Sequence, residues 1–203
     1  MLYSELQCSD AIHKAVERMG FAEMTEIQEK TIPIMMAGYD VIAKAPTGTG
    51  KTCAFGIPVV EHIQPENKYP QAVIMAPTRE LAQQIAEELT ELTYFMPEVQ
   101  VACVYGGANM EKQARRLAEG CQIVVATPGR LMDHYKHHSI DLAHVTQVVL
   151  DEADEMLNMG FYKDVRHIIE MMKARKALSM FSATISREVM DIGWLYQHNA
   201  EEI

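Results

Sequence analysis

The 203-residue sequence predicts a doubly wound α/β fold, a mostly parallel β-sheet with helices on both faces. Three observations lead there. Short, almost continuously apolar runs recur along the chain. Stretches of helical period lie between them. The polar, glycine-containing segments follow directly after the apolar runs.

The apolar runs are Asp40-Val41-Ile42-Ala43, Ala72-Val73-Ile74-Met75, Val99 to Val104, Ile123-Val124-Val125, Val148-Val149-Leu150 and Leu178-Ser179-Met180-Phe181. Strands with one wet face alternate apolar and polar residues; these do not, so they suit a parallel sheet covered on both sides. Between them, Leu81, Ile85, Leu89 and Leu92 share one face of a helix, as do Phe161, Val165, Ile168, Ile169 and Met172. Gln64 to Pro70 is polar, carries two prolines and reads as an exposed loop. The length suits one domain over residues 1–203, with no internal repeat.

Composition narrows the classes. Hydrophobic residues make up 48% and charged residues 23%, an ordinary globular mixture. No apolar run approaches the roughly 20 residues needed to span a bilayer. The N-terminal stretch lacks the basic start and apolar core of an export signal, so a cytoplasmic protein with no membrane contact is expected. A monomer is the default expectation. The four cysteines (Cys8, Cys53, Cys103, Cys121) form no C-x-x-C pair and read as free buried thiols, and the fifteen methionines as adaptable core filler. His134, His137 and His138 lack a partner at metal-ligand spacing and read as a solvated helix end. The net charge of −10 argues against binding nucleic acid by bulk attraction; any such contact needs a few placed groups.

Open α/β sheets bind ligands at the carboxyl ends of their strands. Ala45-Pro46-Thr47-Gly48-Thr49-Gly50-Lys51-Thr52 follows the first run and nearly matches the P-loop pattern, with Ala45 in place of its first glycine. Gly48 and Gly50 let the backbone curl so that the N–H groups of this loop, Thr47 and Thr49 included, face phosphate oxygens. A helix starting near Lys51 adds its positive end. Lys51 is expected to reach the β- and γ-phosphates of a nucleoside triphosphate, and the Thr52 hydroxyl to ligate Mg2+. Asp151-Glu152 closes the run Val148-Val149-Leu150. Asp151 there can hold Mg2+, and Glu152 can orient and deprotonate an attacking water.

Asp151-Glu152-Ala153-Asp154 spells D-E-A-D, and the chain resembles the first RecA-like domain of DEAD-box RNA helicases over essentially its whole length. Pro77-Thr78-Arg79-Glu80-Leu81-Ala82 is similar to motif Ia, Gly106-Gly107 to the double glycine, Thr127-Pro128-Gly129-Arg130 to motif Ib, and Ser182-Ala183-Thr184 to motif III. Gly20-Phe21 through Thr25, Ile27 and Gln28 is similar to the Q motif, with Met24 where the family has proline and Tyr3 where it has phenylalanine.

The resemblance implies an ATP- and Mg2+-dependent RNA helicase domain. It implies adenine recognition by Gln28, with Phe21 against the base; a glutamine amide offers the donor and acceptor that adenine requires. Thr25-x-x-Gln28 is equally a capping box, and the two roles can coexist. It implies that Ser182 and Thr184 bond back to Asp154 and couple phosphate state to RNA. It places single-stranded or partly duplex RNA against Thr78, Arg79, Gly106, Gly107, Thr127, Gly129 and Arg130, residue types suited to backbone contact without sequence reading. Salt bridges at helix starts are the alternative for the two arginines. Nothing in the sequence resembles the family's C-terminal helicase domain, so the chain alone is expected to bind nucleotide, hydrolyse it poorly and not unwind duplexes. A DNA-directed enzyme with the same core and a non-catalytic RNA clamp are the rivals.

Overall fold

In a computed structural model, which describes residues 1–46 and 50–203, seven strands form one sheet, all neighbours parallel, in the order β3-β4-β2-β5-β6-β1-β7. The strands are β1 (Val41–Lys44), β2 (Ala72–Met75), β3 (Val101–Val104), β4 (Ile123–Ala126), β5 (Gln147–Leu150), β6 (Ala177–Ser182) and β7 (Glu201–Glu202). Six coincide with the apolar runs, although β3 starts two residues after Val99. The seventh was not expected. β7 is two exposed glutamates held by backbone pairing, with Glu201 N–H donating to the Asp40 carbonyl at 3.0 Å.

Alternation along each strand divides the interior. Ala72 and Ile74, with Val125, Val149 and Phe181, face one side; Val73 and Met75, with Val124, Val148, Leu150 and Met180, face the other. The first side is covered by α1 (Asp10–Arg18), α2 (Glu26–Met36), α3 (Lys51–Glu61) and α4 (Arg79–Leu92). The second is covered by α5 (Met110–Ala118), α6 (Pro128–Lys136), α8 (Tyr162–Met171) and α9 (Arg187–Tyr196), with the short α7 (Ala153–Met156) leading from β5.

Helix starts follow local chemistry. The Ser9, Thr78, Asn109 and Ser186 side chains accept from backbone N–H groups of the first turns of α1, α4, α5 and α9. Pro128 opens α6, where a missing N–H is harmless. α3 is buried all round from Lys51 to Val60, lying between α2 and α4 on the sheet. A Cβ on Gly56 would meet Leu89 Cδ2 at 3.0 Å, so glycine sets the close approach of α3 to α4. Phe55 and Phe181 pack at 5.3 Å and 56° between α3 and β6, a pair worth about 1 kcal/mol beyond its buried area.

Two expectations about the helices change. Phe161 lies outside α8, in a π-like segment over Leu157–Phe161 broken by Gly160 at φ 89°, and Met172 caps the helix rather than belonging to it. His134 is fully buried inside α6, while His137 and His138 are exposed at the helix end. Of the cysteines, Cys53 and Cys121 are buried and Cys8 and Cys103 half-buried, all free. Among the described residues no helix is long and apolar enough to cross a membrane.

Candidate phosphate and nucleic-acid site

The carboxyl ends of β1, β2, β4, β5 and β6 deliver the polar motifs to one edge of the sheet. The turn after β1 enters α3 through Gly50, whose φ of +74° is left-handed. Thr47, Gly48 and Thr49 lie outside the described residues. A Cβ on Gly50 would sit 2.8 Å from Gln28 Nε2 and 3.4 Å from Thr25 Cγ2, so the conformation favours glycine and any side chain there would have to displace the Gln28 amide.

Lys51 and Thr52 open α3 and are both buried. Lys51 Nζ lies 3.2 Å from Asp151 Oδ1, at the end of β5. Burial raises the Asp151 carboxyl above its ordinary value despite Lys51, which pulls it down. Asp151 Oδ1 also accepts from Glu152 N–H at 3.0 Å. Glu152 itself has φ 49° and ψ 52°, a left-handed conformation costing a non-glycine residue about 1–2 kcal/mol. Such strain belongs where a backbone position is fixed by the site.

The donor set fits Mg2+ and phosphate: one hydroxyl (Thr52), one carboxylate (Asp151), an ammonium (Lys51) and a helix N-terminus. Mg2+ takes one or two protein oxygens and completes its shell with water and phosphate oxygens. Among the described residues there is no cluster of three His, Cys, Asp or Glu side chains that could hold a metal.

Beyond this centre, Asp154 is bound from β6. Its Oδ2 accepts from Thr184 N–H at 3.0 Å and from the Thr184 hydroxyl at 2.8 Å, and its Oδ1 from Glu155 N–H at 3.0 Å. Asp154 N–H donates to Ser182 Oγ at 3.1 Å, and that hydroxyl donates to the Thr184 carbonyl at 2.7 Å. Burial raises the Asp154 carboxyl, but the hydrogen bonds it accepts, those from Thr184 foremost, outweigh it and leave it below its ordinary value.

Gln28 is 3% exposed and closes a capping box with Thr25. Its Oε1 accepts from Thr25 N–H at 2.9 Å and from the Tyr3 hydroxyl, and its Nε2 donates to the Gly50 carbonyl at 3.1 Å. The glutamine thus ties the N-terminal segment to the turn entering α3. Phe21 is 44% exposed and stacks on Tyr3 at 6.2 Å.

Three further segments meet beside the motifs. Thr78, Arg79, Gly106 and Gly107 are exposed, and a Cβ on Gly107 would lie 3.8 Å from Arg79 Nη1. Arg79 lies over the Tyr105 ring at 4.9 Å. Thr127 is nearly buried, and Gly129 and Arg130 are half-buried. Arg130 Nη1 donates to the Ala108 carbonyl at 3.0 Å and to Gln113 Oε1 at 3.1 Å, with Asp133 at 3.7 Å. Arg130 therefore braces the segment after β3 against α6, and the helix-start ion pair weighed from sequence is present as well.

Sequence reasoning missed two contributors and one contact. Tyr3, placed by sequence only as an aromatic of the Q motif, donates its hydroxyl to Gln28 across 25 residues. Gln113 joins Arg130 to His134 Nε2, which lies 3.0 Å from Gln113 Oε1. Glu88, on α4, is half-buried, and burial raises its carboxyl above the ordinary value against an opposing effect of the Thr52 hydroxyl. Its only sequence signal is an acid beside the Leu81, Ile85, Leu89 seam.

Known proteins resemble this chain in sequence and fold. The model of the DEAD/DEAH box helicase family matches residues 25–192. The chain is 47% identical over its full length to the ATP-dependent RNA helicase CshA of Limosilactobacillus reuteri, and 41% identical over 99% of its length to the ATP-dependent RNA helicase DeaD of Mycobacterium tuberculosis. It spans 41% and 36% of those two proteins. It superposes with TM-score 0.93 and 39% identity, over its whole length, on 55% of a DEAD box protein from Methanococcus jannaschii. On a hypothetical ATP-dependent RNA helicase from Sulfolobus tokodaii the TM-score is 0.89 at 40% identity, covering 96% of this chain and 56% of that one. With a family model matched across most of its length and the D-E-A-D carboxylates set at the end of a central strand, the chain belongs to the DEAD/DEAH box helicase family.

Proposed function

We propose that this chain is the ATP-binding motor domain of an RNA helicase, coupling ATP binding and hydrolysis to local separation of RNA duplexes. The observation that carries the reading is the buried Lys51–Asp151 contact at 3.2 Å, which joins the start of α3 to the end of β5. A buried lysine and aspartate at a helix N-terminus form a centre prepared for a polyphosphate and its cation.

In this reading Thr47, Gly48, Thr49 and Gly50 supply backbone N–H groups to the phosphates. Lys51 grips the β- and γ-oxygens, and Thr52 and Asp151 hold Mg2+. The cation supplies neutralisation of charge on the transferring phosphate. Glu152 orients the attacking water and takes its proton. Gln28 and Phe21 select adenine, which requires the Gln28 amide to exchange or share its present bonds to Gly50 and Thr25. Asp154, Ser182 and Thr184 link the phosphate centre to β6.

RNA then lies along Thr78, Arg79, Gly106, Gly107, Thr127, Gly129 and Arg130, held by its backbone; contact with 2′-hydroxyls favours RNA over DNA. Support comes from the contiguity of these segments, which Arg130 fastens together through Ala108. Because the chain spans about 36–42% of the curated relatives it matches, unwinding is assigned to a longer protein. A second domain that completes the ATP site with an arginine finger is worth about 10³–10⁵ in rate in nucleotide hydrolases.

The test is ATP turnover with and without single-stranded RNA, for this chain alone and for the chain fused to a C-terminal helicase domain. The chain alone should bind nucleotide and show no RNA stimulation, whereas the fusion should be stimulated and lose turnover on Glu152→Gln. RNA-stimulated turnover by the chain alone, or full turnover in the Glu152→Gln fusion, would contradict the reading.

A further inference from the structure

The segments assigned to RNA, at 78–79, 106–107 and 127–130, follow three different strands, and a side chain outside all of them ties them together. Gln113 lies on the buried face of α5 with Leu117, one turn on, and is 8% exposed. A leucine would serve packing at such a position; a buried glutamine amide needs partners. Gln113 Nε2 donates to the Tyr105 carbonyl at 3.0 Å, just before Gly106. Its Oε1 accepts from Arg130 Nη1 at 3.1 Å and lies 3.0 Å from His134 Nε2. Arg130 Nη1 in turn donates to the Ala108 carbonyl at 3.0 Å, just after Gly107. From α4, Gln83 Nε2 donates to the Tyr105 hydroxyl at 3.0 Å, and Arg79 covers the same ring at 4.9 Å.

The amide has one orientation. Reversed, it would set Oε1 against the Tyr105 carbonyl and Nε2 against the guanidinium, two repulsive contacts for two favourable ones. With Oε1 toward His134, that ring carries its hydrogen on Nε2. His134 Nδ1 is buried and meets no partner among the described residues. A protonated ring would add an unmet N–H there and a second cation beside Arg130; burial first, and then Arg130, hold His134 below its ordinary value. His134 is therefore a neutral donor that locks the glutamine.

Both carbonyls flanking Gly106-Gly107 are thus held from inside the domain, while the two glycines are exposed. Gly107 has φ +83°, and a Cβ on Gly106 would meet nothing within 4 Å, so an open crest stands on a fixed base.

We propose that Gln113 is a positioning residue for RNA. It touches no nucleotide; it holds the Gly106-Gly107 crest and the Arg130 guanidinium in the arrangement that the RNA backbone meets. The inference rests on the RNA face proposed above. Order set in advance spares the complex the entropy of fixing that backbone when RNA binds.

The test titrates single-stranded decauridine into the nitrogen-15-labelled chain and into Gln113→Met, which keeps side-chain length without the amide. In the unaltered chain, amide shifts at 78–79, 106–107 and 129–130 should saturate together. In Gln113→Met the RNA affinity should fall roughly five- to thirtyfold, the factor for fixing one backbone residue on binding. Amide order parameters at Gly106 and Gly107 should fall in the RNA-free variant and recover at saturating RNA, a signature that general destabilisation does not give. Mg2+-ADP affinity should be unchanged. Gln113→Glu keeps an acceptor for Arg130 and His134 but sets a carboxylate against the Tyr105 carbonyl; it should loosen the glycines and weaken RNA likewise, and it serves if the methionine variant fails to fold. Unaltered RNA affinity in a folded Gln113 variant, or an equal loss of Mg2+-ADP affinity, would overturn this inference alone. Absence of saturable shifts at the three segments in the unaltered chain would remove the RNA face itself, and this inference with it.

Discussion

Replacing Lys51 with alanine removes the cation 3.2 Å from Asp151 and leaves that carboxylate, 1% exposed, without its partner. Breaking a buried pair by deleting one member typically costs 3–5 kcal/mol. Asp151 can also take up a proton, so the low end, about 3 kcal/mol, is expected near pH 8. At roughly 2–4 °C per kcal/mol for a chain of this size, that lowers Tm by about 6–12 °C. The pH dependence follows from direction. Burial already holds the Asp151 carboxyl above its ordinary value, and loss of Lys51 raises it further. A carboxyl raised in the folded state favours folding while protonated, and that contribution is lost as pH rises through the folded value. The Lys51→Ala penalty should therefore be smaller at pH 5 than at pH 8. Urea unfolding of Lys51→Ala, Asp151→Asn and the double variant at both pH values reads this directly. The double variant should lose about 2 kcal/mol less than the sum of the singles, because neither charge is then stranded. Equal penalties at both pH values, with additive singles, would refute the buried-pair account.

Thr184→Val deletes the 2.8 Å hydroxyl bond to Asp154 but keeps the backbone one, and because Thr184 is exposed the loss should be about 1 kcal/mol at neutral pH. Asp154 is held below its ordinary value, so its contribution is present above the unfolded aspartate value near 3.9 and is lost as pH falls through the lower folded one. The Thr184→Val difference should therefore shrink in acid, as followed by urea midpoints from pH 7 to pH 3. Gly50→Ala combines about 1–2 kcal/mol of left-handed strain with a 2.8 Å collision against Gln28 Nε2. Denaturation should show the Gly50→Ala penalty falling in a Gln28→Ala background, where the collision is gone; an unchanged penalty would remove Gln28 from the account.

The sheet was legible in sequence because β2, β4, β5 and β6 are buried on both faces, so apolarity runs through them without alternation, and the less covered faces of β1 and β3 still carry Ile42, Val101 and Cys103. The P-loop pattern and the D-E-A-D segment could be picked out in sequence because the phosphate and cation chemistry proposed for them calls for particular residues at fixed local spacing. What escaped depends on partners distant in sequence. β7 is two exposed glutamates, a composition against strand formation, paired to β1 through backbone alone. Asp40 reads as the start of an apolar run; in the fold its buried carboxylate accepts from Leu178 N–H at 2.9 Å and His198 N–H at 2.8 Å. His134 sits in a polar stretch of helix end, and its burial follows from Gln113, on a helix that sequence spacing alone does not bring near. Gln28 shows both levels in one residue: its cap is local and was legible, whereas its bond to Gly50 joins two motifs 22 residues apart.

The most direct measurement is calorimetry of ADP and GDP binding to this chain in Mg2+, for the unaltered protein and for Gln28→Ala. The account predicts that ADP binds more tightly than GDP and that the preference collapses in the variant while binding through the phosphates persists. Equal binding of ADP and GDP by the unaltered chain would confine Gln28 to its helix cap and its bond to Gly50, and would contradict the assignment of this site to adenine.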